Sequence, residues 1–147
     1  MNQFTSLKLT SFRQDLTKVK AMGASKSRDY KDLLVWQKGI ALAKEVYTVT
    51  RTFPPEEKFG LISQMRRAAV SVPSNIAEGQ ARNTRGEFIQ FLSNAEGSLA
   101  ELDTQTRISL ELGFRPPERI PFTAPDSRAS ENAEESPRET QHLKLTT

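Results

Sequence analysis

Cysteine is absent from this 147-residue chain and histidine occurs once, at His142. Disulfides, thiolate metal sites and cysteine nucleophiles are thereby excluded. A Ser-His-Asp triad within the core is excluded almost as firmly. Long apolar runs are missing too, so no segment approaches the ~20 residues of a membrane span, and the N-terminus lacks a signal peptide's continuous apolar stretch. A soluble, cytoplasmic protein is expected. Net charge is also small, at +3, and its distribution is uneven. Residues 1–30 carry six Lys/Arg against two Asp/Glu, residues 31–113 carry ten against ten, and residues 114–147 carry five against six. The basicity lies in the leader.

Hydrophobic residues make up 36% of the chain, enough for one compact domain. Composition divides it into three segments. Residues 1–28 are polar, basic and only weakly periodic, which predicts a disordered leader, with Met22 as an alternative start. Residues 29–114 are strongly periodic and predict a helical bundle core. Residues 115–147 hold five of the eight prolines amid Ser, Glu and Arg, and predict a disordered tail that cannot bury enough surface to order itself.

Within the middle segment, Trp36, Ile40, Ala43 and Tyr47 recur at the spacing of one helical face, and Phe53-Pro54-Pro55 ends that run. A second run follows, with Pro55-Glu56-Glu57 suited to a helix start and Phe59, Ile62, Met65 and Ala69 on its inner face. Val72 and Ile76 keep the same phase across Pro73, so one helix passes through the proline with a bend there. Gly79 is expected to supply a left-handed stop. Thr84 and Glu87 form a T-x-x-E capping box that opens a third helix. Its inner face is Phe88, Phe91, Leu92, Ala95, Leu99 and Leu102, continued by Thr106 and Leu110 and closed by Gly113. The helices are expected at about 31–52, 56–78 and 85–112. Short loops between in-phase stripes predict an all-α, antiparallel up-and-down bundle of the four-helix type.

The stretches QMRRAAVSVPSNIAEG and EFIQFLSNAEGSLAEL, preceded by YKDLLVWQKGIALAKEVY, resemble the 23S rRNA-intervening sequence proteins. That family includes the accessory variability determinants of diversity-generating retroelements. The resemblance spans roughly Tyr30 to Phe114. It implies a small non-enzymatic bundle that assembles into a homo-oligomer, a pentamer in the accessory variability proteins, and associates with structured RNA or DNA. Family members continue past the Leu112-Gly113-Phe114 turn into a fourth amphipathic helix. Here RPPERIPF follows, so the fourth helix is expected to be lost or replaced by the disordered tail. Leu33, Val46, Leu61 and Leu110 would then lack cover, and the chain would not be a stable monomer.

Candidate nucleic-acid-binding residues are Arg66, Arg67, Arg82 and Arg85, whose guanidinium groups match phosphate oxygens. The competing reading makes Arg66 and Arg67 solvated or ion-paired residues, and the balanced charge of the middle segment favours it slightly. Pro73, Asn75, Glu78 and Gly79 form a structural kink, with Asn75 able to satisfy backbone groups that the proline frees. Glu96, Glu101 and Asp103 have no base or metal ligand beside them, so no catalytic residue, metal site, cofactor or small-molecule substrate is expected. Trp36 and Tyr47, capable of stacking on bases, are read as core. Two functional classes stand: an oligomeric adaptor for structured RNA or DNA, and a structural or protein-interaction bundle that binds no nucleic acid.

Overall fold

A computed structural model describes residues 3–22 and 29–114, with side chains from Lys8 onward. Four α-helices form the bundle: α1 (Gln3–Met22), α2 (Leu34–Thr50), α3 (Leu61–Gln80) and α4 (Arg85–Glu111). The expected tail, residues 115–147, lies outside the described residues.

The reading of residues 1–28 as a disordered leader fails over Gln3–Met22, which is helical. Leu9, Phe12 and Leu16 are buried in the common core, and Val19 packs against it. Their spacing of three, four and three places them on one helical face. With this stripe covered, α1 takes the fourth position of the bundle, so the bundle has four helices although no fourth one was expected after Phe114. Val46 and Leu61, expected to lie bare, are 7% and 8% exposed.

A 3-10 turn (Tyr30–Asp32) precedes α2, held by the Asp29 carboxylate accepting from the Lys31 N–H. The buried residues of α2 are Val35, Gly39, Leu42, Val46 and Thr50. This corrects the expected face by one position, for Ile40 and Tyr47 are 37% and 41% exposed. Both stripes have helical spacing; the buried one contains Gly39, which a hydrophobicity count overlooks, because α3 needs the room there. A Cβ on Gly39 would lie 3.1 Å from Pro73 Cβ.

The helix expected from residue 56 is interrupted. Pro55–Phe59 forms a 3-10 turn, and α3 starts after Gly60. Phe59, expected inside, is 86% exposed, because the change of helix type at Gly60 breaks its phase with Ile62. Glu57 still serves the helix start, its carboxylate accepting the Leu61 N–H at 2.9 Å. Helix α3 then runs through Pro73 and buries Ile62, Met65, Ala69, Val72 and Ile76. Gly79 is not the stop. It lies inside α3, and Gly113 alone among the described glycines has a positive φ. Gly79 is needed for space: a Cβ there would stand 2.7 Å from Phe91 Cβ.

Thr84 and Glu87 form the capping box of α4. Phe88, Leu92, Ala95, Leu99 and Leu102 are its core face, while Phe91 is only partly buried, beside Gly79. Cross-helix pairs fix the topology. Lys8 meets Glu45 and Asp15 meets Lys38, Gly39 meets Pro73 and Thr50 meets Arg66, and Ser71 meets Ser98, so successive helices are antiparallel. Helices α1 and α3 each pack against α2 and α4 and stand diagonally across the core.

Candidate nucleic-acid interface

The four arginines fall into two groups on this frame. Arg66 and Arg67 lie in the first half of α3, and Arg82 and Arg85 lie at the turn into α4. Between Arg66 and the end of α3 at Gln80 the helix rises roughly 20 Å, so the four do not converge on one phosphate.

Arg66 is half-buried and held. Its Nε donates to Thr50 Oγ1 at 2.9 Å, and its guanidinium sits 4.6 Å from the centroid of the Tyr47 ring. Thr50 is 1% exposed and donates its own hydroxyl to the Val46 carbonyl at 2.8 Å. Arg66 therefore ties α3 to the C-terminal turn of α2, a packing role as well as a charge. Tyr47, read from the sequence as core, is instead a partly exposed ring that Arg66 covers. Its neighbour Arg67 is exposed.

At the other end, Arg82 is exposed, makes an ion pair with Glu78 one turn earlier, and lies 4.8 Å from the centroid of the Phe91 ring. Arg85 is the exposed first residue of α4. The geometry gathers Arg82 and Arg85 beside the positive end of the α4 dipole, where negative charge is favoured.

The kink residues are disposed around the α3 turn that contains Pro73. Ser74 Oγ donates to the Val70 carbonyl at 2.8 Å, and Asn75 Nδ2 donates to the Ser71 carbonyl at 2.8 Å and to Ser71 Oγ at 2.9 Å. Ser98 of α4 donates to the same Ser71 hydroxyl at 2.9 Å. These donors serve the carbonyls of Val70 and Ser71, the two that follow the Ala69 carbonyl deprived of its i+4 donor by Pro73, and the Ser98 bond joins α3 to α4. The Ser71–Ser98 bridge is not legible in the sequence. No spacing rule links residues on different helices.

Among the described residues, no group of three or more His, Cys, Asp or Glu side chains is placed to hold a metal. No helix there is long and apolar enough to cross a membrane. Glu96 is engaged by Lys20 at 2.9 Å and Thr17 at 3.2 Å, and Glu101 accepts from Gln105, so these carboxylates serve packing contacts.

The four-helix bundle has polar side chains that bridge helices, and it presents both arginines (Arg67, Arg82, Arg85) and lysines (Lys18, Lys44, Lys58) to solvent. Residues 31–122 match the family of 23S rRNA-intervening sequence proteins, and the chain belongs to that family. The match takes in α2, α3 and α4 and leaves α1 outside. No curated protein sequence matches the chain.

Proposed function

We propose that this chain is a non-enzymatic, cytoplasmic bundle protein that self-associates, with a pentamer implied by the resemblance, and binds structured RNA or DNA in an rRNA intervening-sequence or retroelement-type role. Family membership carries the reading. On the surface it is supported by Arg67, Arg82 and Arg85, exposed guanidinium groups suited to bidentate contact with phosphate. Arg66 contributes by fixing the α2–α3 surface next to Arg67 and by adding its charge. No cofactor or small-molecule substrate enters this reading.

A second reading, a protein-interaction bundle without nucleic acid, is favoured by one feature. Ile40, Tyr47 and Val70 are 37%, 41% and 44% exposed on adjacent helices α2 and α3, exposed apolar side chains of the kind that contact protein. Filter binding of the full chain to a structured RNA at two salt concentrations separates the two. Binding that weakens steeply with salt supports phosphate contact. Absence of binding at the lower salt concentration leaves the second reading.

A further inference from the structure

The fourth position of the bundle is filled by a helix from outside the family-matched segment. Residues 31–122 supply α2, α3 and α4, and α1 lies in the groove between α2 and α4. That groove has both an apolar floor and a charge pattern. Leu9, Phe12 and Leu16 of α1 are 4%, 6% and 0% exposed in the core cluster shared with the other helices. Along the edges, Lys8 meets Glu45 at 3.1 Å and Asp15 meets Lys38, both on α2, while Lys20 meets Glu96 of α4 at 2.9 Å.

The two α2 pairs have opposite polarity, and this encodes direction. A helix entering the groove the other way round would set Lys8 toward Lys38 and Asp15 toward Glu45, like against like. The groove therefore selects one orientation of one apolar pattern, as a helix-in-groove binding site does. The α1 sequence, QFTSLKLTSFRQDLTKVKAM, contains three Thr, two Ser and a Val, which are weak helix formers. A 20-residue segment of this kind is marginal as a helix in water and takes its helicity from the groove. Its relation to the rest of the bundle is that of a ligand to a site.

We propose that the α2–α4 groove is an acceptor site for one amphipathic helix, and that it takes α1 from a second copy of this chain as well as its own. Exchange of α1, reciprocal between two copies or passed from each copy to the next around a closed ring, reproduces every α1 contact between copies, which makes it a low-cost route to assembly. The proposal rests on the self-association put forward above and supplies the surface it uses.

The test is a pair of full-length chains with swapped charges. One carries Lys8→Glu and Asp15→Lys, and the other carries Lys38→Asp and Glu45→Lys. Alone, each sets like charges together when α1 docks in its own groove or in that of an identical copy. Mixed, each α1 finds opposite charges only in the groove of the other variant. Light scattering is expected to show a 1:1 complex whose association constant exceeds that of either variant with itself about tenfold or more. Circular dichroism is followed in parallel, because a variant that is poorly folded alone and gains helix on mixing also supports exchange. A mixture with the mass and helicity of its separate components would overturn it. The mass of the unaltered chain tests self-association separately: an oligomer there, with no complex in the mixture, rejects helix exchange and leaves self-association standing.

Discussion

A methyl group added at Gly79 has nowhere to go, since its position would be 2.7 Å from Phe91 Cβ and 3.4 Å from the Phe88 carbonyl oxygen. Gly97, also helical, has nothing within 4 Å of the corresponding point. The same substitution should therefore have opposite signs at the two sites. Gly79→Ala is expected to destabilise by about 1–3 kcal/mol through overpacking between α3 and α4. Gly97→Ala should stabilise by about 0.5–1 kcal/mol, because alanine loses less conformational freedom in a helix. Urea midpoints of the two variants decide it, and a shift of the same sign in both would remove the close-crossing argument. Ile76 and Leu99 are each 0% exposed, so truncation to Ala at either should cost about 2–5 kcal/mol by the same measurement. At this scale the sequence was readable where side-chain size alone decides: Ile76, Leu92, Leu99 and the Thr84–Glu87 box lie as their spacing required. It misled at the glycines. A glycine that terminates a helix and one that admits a neighbouring helix look alike in a sequence, and only the second role applies to Gly79.

Elements were legible in proportion to how much of their buried face is aliphatic. In α3 and α4 most of the large apolar residues are buried, Val70 and Ile108 aside, so the periodicity led to the right face. In α2 the larger apolar side chains Ile40 and Tyr47 are exposed and Trp36 is only partly buried, while the buried register contains Gly39 and Thr50. Helix α1 was missed for another reason. Its stripe of Leu9, Phe12, Leu16 and Val19 is regular, yet it is diluted by Ser, Thr and Lys, whose low mean hydropathy resembles that of a disordered leader. The groove between α2 and α4 compensates for that weakness, and such a contribution is invisible in a local window. Docking of α1 has a direct consequence for Leu16, which is 0% exposed. Leu16→Ala should destabilise the bundle by about 2–5 kcal/mol, the cost of a core leucine, with loss of the α1 share of the helical signal at low urea. An unchanged midpoint would mean that α1 contributes nothing to the core.

For the molecule as a whole, the balance of charge limits how nucleic acid can be held. Residues 31–113 carry equal numbers of cationic and anionic side chains, so a broad field steering polyanions toward α2–α4 is not available and affinity has to come from a few placed contacts. Several cations are already committed: Lys8, Lys20 and Lys38 to carboxylates across helices, Arg82 to Glu78, and Arg66 to Thr50 and Tyr47. Arg82 keeps an exposed side chain beside Arg85, and Arg67 stands apart on α3. If these three each neutralise one phosphate, the slope of log affinity against log salt should be about −2 to −3, at ~0.7–0.9 per contact. Replacing Arg67, Arg82 and Arg85 together with Gln is then expected to flatten the slope to near zero, with helicity and mass unchanged. The Arg66→Gln variant separates structure from binding: it should lower the urea midpoint by loosening α2 from α3, with a smaller effect on the slope. Filter-binding titrations from low to moderate salt measure all of this. A slope of −6 or steeper in the unaltered chain, retained in the triple variant, would move the contacts off these arginines and onto the basic residues outside the α3–α4 face.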